Sequence, residues 1–224
     1  MTLPEHTPLT SFVIAVDGPA ASGKGTIATR LGKVFDLPVL DTGLLYRCVG
    51  VLMQKAGEDL DHEEAAAACA VLLTADQLDD PALRTRAAGE AASRVAVHPR
   101  VRDALLDFQR TFARQEGGAV LDGRDIGTVI APDAPAKLFV TASPEVRAER
   151  RWKQLKGQGE RVSLKNVLAD IRRRDARDGG RDAAPMKPAP DAVLLDTSEM
   201  TIDHAADAAR RIVEAARAAW LSAK

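Results

Sequence analysis

The sequence predicts an α/β fold, a parallel sheet with helices on both faces. Short apolar runs alternate with stretches whose apolar residues recur at helical spacing, the pattern of strands joined by helical crossovers. The first run, Phe12 to Val16, leads straight into a glycine-rich segment from Gly18 to Thr26, which opens a helical pattern. The 224 residues are 46% hydrophobic and 28% charged, a globular profile with enough chain to bury a core without disulfides or a metal.

Phe12-Val-Ile-Ala-Val16 is apolar throughout, as a strand covered on both faces is. Ile27, Leu31, Val34 and Phe35 mark a helix over 24–35, followed by a short strand at Val39-Leu40 and a second helix over 43–56. Residues 61–96 are Ala-rich and helical, with a break near Asp79-Asp80-Pro81. A helix over 99–114 turns Val101, Leu105, Phe108 and Phe112 inward. Ala119–Leu121, Lys137–Thr141 and Ala192–Leu195 read as strands, with helices over 144–156, 164–178 and 202–219. The helix-rich region between the second strand and Ala119 is the natural place for a substrate-binding subdomain. The charged stretch from Lys153 to Arg161, with Gly157 and Gly159, reads as a mobile flap.

Charge narrows the function. With 31 Lys+Arg against 32 Asp+Glu the formal net charge is −1, which argues against a general binder of nucleic acid or anionic membrane. Local arginine clusters still suit small anions. Cys48 and Cys69 form neither a disulfide framework nor a CxxC pair and read as reduced thiols. His6, His62, His98 and His204 lack ligand spacing, so no structural metal is expected. The run Phe12–Val16 is too short to span a bilayer, and the start has no basic region followed by an apolar stretch. A soluble, cytoplasmic protein is expected.

Gly18, Pro19, Ala20, Ala21, Ser22, Gly23, Lys24, Gly25 and Thr26 stand where a strand gives way to a helix, the setting of a phosphate-binding loop. Glycines let backbone N–H groups turn toward phosphate oxygens, the helix N-terminus adds partial positive charge, and Lys24 supplies a full one. The usual pattern has Ser or Thr directly after the Lys. Here Gly25 intervenes, which shifts the hydroxyl that would meet Mg²⁺ to Thr26. A GTPase would need an Asn-Lys-x-Asp guanine reader, but the only Asn, Asn166, is followed by Val. A remodelling ATPase would end an apolar strand in Asp-Glu, whereas Asp122 is followed by Gly123.

Three further motifs carry polar chemistry. Asp41-Thr-Gly-Leu-Leu-Tyr-Arg47 and Asp122-Gly-Arg-Asp-Ile-Gly-Thr128 both follow strands, at the edge where open α/β sheets place ligands. Taken alone, the first reads equally as a capped helix start and the second as a turn with an internal Asp–Arg pair. Arg174, Asp178 and Arg181 share one face if their helix persists, and alone would read as a solvated charged surface.

Together with GPAASGKGT and DAVLLDTS, these motifs make the chain resemble the bacterial cytidylate kinase family, from about Phe12 to Ala219. The resemblance implies a nucleoside-monophosphate kinase fold with a P-loop core of five parallel strands, moving phosphate from ATP to CMP or dCMP. It implies a single kinase domain over 1–224, with core segments of about 12–57 and 98–224, an acceptor-binding insertion over 58–97, and a lid over 153–161. Gly18 to Thr26 would hold ATP, with Mg²⁺ carried on the nucleotide near Thr26. Asp41, Thr42, Tyr46 and Arg47 would belong to the CMP site. There Arg47, Arg124 and Arg181 would clamp the phosphate, Ser93, Arg102 and Asp125 would read cytosine, and Arg174 and Asp178 would meet the ribose. Lys24, Arg124, Arg177 and Arg181 would be catalytic, with Arg147 or Arg151 also reaching the transferring group.

The chain departs from the family in carrying Leu44 after the DTG glycine and in a short insertion without an alternating strand pair. The implied partners are ATP and CMP or dCMP alone, without nucleic acid or membrane, and a monomer is expected. The alternatives are a kinase for UMP, AMP or a small metabolite, and a P-loop regulator that binds nucleotide without an acceptor.

Overall fold

The computed structural model describes residues 11–223; the reading of the leader and of His6 lies outside them. Its strands are β1 (Phe12–Asp17), β2 (Val39–Asp41), β3 (Gly118–Gly123), β4 (Ala136–Thr141) and β5 (Val193–Asp196). Its α-helices are α1 (Lys24–Phe35), α2 (Thr42–Ala56), α3 (Glu63–Val71), α4 (Arg86–Val95), α5 (Pro99–Ala113), α6 (Pro144–Gly157), α7 (Leu164–Gly179) and α8 (Ile202–Ser222). The strands form one sheet in the order β2-β3-β1-β4-β5, and every pairing is parallel.

The central strand explains the apolar run. Phe12, Ile14 and Val16 pack on one side with Ile27 and Leu31 of α1 and Ala205, Ala209 and Val213 of α8. Val13 and Ala15 face the other side, with Ala113, Leu121 and Ile126. Alternate residues from Phe12 to Val16 thus enter opposite cores, which is why that run is apolar throughout. Val34 departs from the inward stripe and is 56% exposed, because the buried face of α1 centres on Ala28, Leu31 and Gly32.

The insertion is helical among the described residues, as α3, two short 3₁₀ turns (Ala75–Asp79 and Pro81–Arg84) and α4. Its apolar side packs Ala66, Ala70, Ala91 and Val95 against Leu45, Val49 and Met53 of α2 and Leu105 of α5. In the stretch read as a flap, residues 153–157 continue α6, and the link to α7 is only 158–163. The backbone N–H of Gln158, Gly159 and Glu160 donate to carbonyls of the last turn of α6, which closes that helix. No helix among the described residues is long and apolar enough to cross a membrane.

Candidate active site

The glycine-rich loop joins the end of β1 to α1. Gly18 has φ +143, and a Cβ there would lie 2.0 Å from the carbonyl oxygen of Val140, so only glycine fits. Gly23, with φ +93, caps α1 without a side-chain hydrogen bond, and no acidic residue sits in the first turn. No acid of the helix itself therefore offsets the positive end of α1, which favours an anion. A Cβ at Gly25 would sit 3.1 Å from Oδ2 of Asp122, a tight contact that a larger residue after Lys24 would press against. Thr26 is exposed one residue on.

Lys24 Nζ pairs with Oδ1 of Asp122 at 2.9 Å. Burial pushes the Lys24 ammonium below its ordinary value, Arg124 adds to this, and Asp122 opposes it. Burial likewise raises the Asp122 carboxyl, against the pull of Lys24. Asp122 is in register with Asp41 on β2, and Thr42 Oγ1 donates to the Asp122 carbonyl at 2.8 Å. This register brings the Asp41–Arg47 and Asp122–Thr128 motifs together at the carboxyl edge.

Beside the loop lies a cavity of about 150 Å³. The loop and strand ends contribute Ala20, Ala21, Lys24, Asp41 and Thr42, and α2 adds Tyr46 and Arg47. Ser93 and Arg102 enter from α4 and α5, Arg124 and Asp125 from the turn after β3, and Arg174, Asp178 and Arg181 from α7 and the segment beyond it. Every residue assigned by resemblance to the acceptor site lines this one cavity. Asp178 is its hub. Its carboxylate accepts from Ser93 Oγ at 3.2 Å and Arg124 Nε at 3.3 Å, faces Arg174 Nε at 3.6 Å, and pairs with Arg181. Burial raises the Asp178 carboxyl, but Arg124, Arg181 and Arg174 together outweigh it and hold it below the usual value. Burial, reinforced by the other guanidiniums, lowers Arg174 to about 10, still charged at neutral pH. The buried Nε groups of Arg174 and Arg181 donate no hydrogen bond among the described residues.

Several details differ from the sequence reading. α7 ends at Gly179, so Arg181 reaches Asp178 from beyond the helix and not from its face. Asp125 pairs with Arg102 of α5, both about 8% exposed, and not with Arg124 inside its own turn. Arg47 donates to the carbonyls of Leu83 at 2.8 Å and Thr85 at 3.2 Å while keeping a place on the cavity wall. Arg177 lines neither this cavity nor the adjoining groove, and pairs with Glu90 of α4 at 2.8 Å. Arg147 turns away to Asp175, whereas Arg151 lines a groove of about 790 Å³ that meets the cavity at Ala20, Ala21, Arg47 and Arg174.

Two acids escaped the sequence reading. Asp17, the last residue of β1, accepts the N–H groups of Ile126 and Gly127, each at 2.8 Å, and so anchors the π-helical turn Ile126–Ile130. Burial raises its carboxyl to about 7. Asp122 was read as part of a motif and not as the partner of Lys24. An acid at or one residue before the end of an otherwise apolar strand is the signal common to both.

A glycine-rich loop with a lysine at a helix N-terminus, beside an arginine-lined cavity at the carboxyl edge of a parallel sheet, is the arrangement of a P-loop phosphotransferase. The family model described as "Cytidylate kinase" matches residues 14–216, and the chain belongs to that family. A relative named cytidylate kinase from Caulobacter sp. (strain K31) is 70% identical over 210 residues, covering 94% of this chain and 97% of the relative. Another of that name from Xanthobacter autotrophicus (strain ATCC BAA-1158 / Py2) is 62% identical over 207 residues, covering 92% and 99%. A crystal structure of an uncharacterized protein from Eubacterium ventriosum ATCC 27560 shares the fold, with TM-score 0.54 at 15% identity over 91% of this chain and 99% of that one. The chain is an enzyme, a kinase.

Proposed function

We propose that this enzyme transfers the γ-phosphoryl group of ATP to CMP or dCMP. The observation that carries the reading is the single cavity that gathers Ser93, Arg102 and Asp125 beside the Asp178 cluster and opens onto Lys24 and the phosphate loop. Cytosine offers an amino donor and a ring acceptor edge. A carboxylate accepts from the first and a guanidinium donates to the second, and Asp125 and Arg102 bring that pair to one place.

The reaction needs no general base, because a phosphate monoester with a second pKa of about 6 is largely ionised at neutral pH. The obstacle is repulsion between two polyanions. Lys24, the N-terminus of α1 and the loop amides oppose it on the donor side, and Arg47, Arg124, Arg174 and Arg181 on the acceptor side. The insertion, about 58–97, covers the acceptor base through Ser93, and the segment about 153–161 covers the reacting groups and excludes water.

The oxygen donors beside the loop suit a hard cation carried by a nucleotide: the Asp122 carboxylate next to Gly25, the exposed Thr26 hydroxyl, and the buried Ser22 Oγ, which has no hydrogen-bond partner. Asp122 and Thr26 would hold Mg²⁺ with ATP. When bound it supplies charge neutralisation at the phosphate oxygens.

A coupled assay of ADP formation with CMP, dCMP, UMP, AMP, GMP and TMP tests this. CMP or dCMP should stimulate turnover far more than the others. A purine preference, or ATP hydrolysis indifferent to every acceptor, would overturn the assignment.

A further inference from the structure

Arg147 enters from the first turn of α6 and is 3% exposed. Its Nε donates to the Ala142 carbonyl at 2.8 Å. Nη1 donates to the Ala20 carbonyl at 3.3 Å and to Asp175 Oδ1 at 3.0 Å, and Nη2 donates to Asp175 Oδ2 at 2.6 Å. A guanidinium has five N–H donors, and these contacts use all but one of them on protein atoms. One planar group therefore ties the end of β4 and the phosphate loop to α7, the helix that carries Arg174 and Asp178 into the acceptor cavity. Arg150, one turn on, holds the Ser22 carbonyl at 3.3 Å together with Thr197, whose Oγ1 donates to the same carbonyl at 3.0 Å.

A peptide unit is planar and trans, so its C=O and the following N–H point in opposite directions. With the Ala20 carbonyl drawn toward Arg147, the N–H of Ala21 is directed away from α6. The Ser22 carbonyl fixes the N–H of Gly23 in the same way. Both Ala20 and Ala21 line the acceptor cavity and the adjoining groove.

We propose that Arg147 is a positioning residue for phosphoryl transfer, setting through Ala20 and Asp175 the separation between the donor loop and the acceptor helix α7. This rests on the proposed transfer between two bound nucleotides. Its role is distinct from a phosphate contact: the bidentate pair with Asp175 spends the fork on α7, and a strut acts on the alignment of reactants already bound. Misplacement of reacting groups by about 1 Å can cost on the order of 10²-fold in rate.

The test uses the full chain with Arg147→Lys, Asp175→Asn and the double variant. Each is assayed for kcat, for KM of ATP and of the acceptor, for inorganic phosphate released per diphosphate product formed, and for Tm. The acceptor is whichever monophosphate the wild type turns over fastest, so failure of the cytidine assignment shows in the wild type and failure of the strut in the variants. Each single variant should lower kcat at least about 10-fold with both KM values within about threefold. The double should be no slower than the worse single, and phosphate release to water should rise relative to transfer. Asp175 is 25% exposed at its side chain, so Asp175→Asn carries the test alone if Arg147→Lys does not fold. A raised ATP KM with kcat retained, multiplicative losses in the double variant, or an unchanged ratio of hydrolysis to transfer would each overturn the proposal.

Discussion

Replacing Lys24 by Met separates what the Lys24–Asp122 pair does for the fold from what the ammonium does for the reaction. The pair is close, at 2.9 Å, and its side chains are 13% and 3% exposed. At an effective dielectric constant of about 20, charges so placed attract by about 6 kcal/mol, most of which offsets the cost of removing both from water. Taking away one partner leaves a buried charge alone, which costs about 3–5 kcal/mol. For a chain of this size that is a fall in Tm of about 6–20 °C. Burial already raises the Asp122 carboxyl, so once Lys24 is gone Asp122 takes up a proton more readily, and the loss should shrink toward acid pH. Activity should fall separately. Loss of one strong contact to developing charge lowers kcat by at least about 10²-fold. Adding Asp122→Asn to Lys24→Met removes the stranded carboxylate, so the double variant should regain most of the stability and none of the rate. Urea unfolding at several pH values and the coupled assay read the two effects. A Lys24→Met protein as stable as wild type, or one with near-normal kcat and only a raised KM for ATP, would refute the reasoning; so would recovery of kcat in the double variant.

Two further outcomes follow from the same geometry. Asp125→Asn should reduce the preference for CMP over UMP by about 1–3 kcal/mol, read as the ratio of kcat/KM within the variant, because an amide can turn to donate to the uracil oxygen; equal losses for both would make Asp125 only the buried partner of Arg102. Asp17, raised to about 7 in the fold, contributes stability that is full below its unfolded value near 3.8 and is lost as pH rises toward 7, so Asp17→Asn should flatten the decline seen by urea unfolding by up to about 4 kcal/mol; an unchanged slope would refute the assignment.

The strands were legible because burial on both faces demands apolar runs, which β1 supplies from Phe12 to Val16 and β4 from Leu138 to Val140. The helices were legible from periodicity, except where a stripe drifts, as at Val34. The phosphate loop was legible because glycine is obligatory where the backbone of Gly18 approaches β4. What sequence could not give were partners across elements. Nothing local joins Arg102 to Asp125, Glu90 to Arg177, or Arg147 to Asp175; each pair forms only after helices from distant stretches dock. The π-helical turn Ile126–Ile130 was equally silent, because it is held from outside by the Asp17 carboxylate.

On the proposed reading, the arginines around Asp178, which the resemblance places at the ribose end of the acceptor, would let a chain with net charge −1 attract a dianion. Around that one carboxylate stand Arg124, Arg174 and Arg181, all in contact with it. One negative and three positive charges leave two formal positive charges, about the charge that a phosphate monoester carries at neutral pH. Without Asp178 three guanidiniums would repel one another in a largely desolvated cavity. The carboxylate is therefore held below the usual value by the same arginines that it holds apart. It lies 3.3 Å from Arg124 and 3.6 Å from Arg174, and the buried Nε groups of Arg174 and Arg181 donate no hydrogen bond among the described residues. Global neutrality and local positive charge are compatible because a Debye length of about 8 Å at physiological salt confines what an incoming nucleotide feels to the nearest charges.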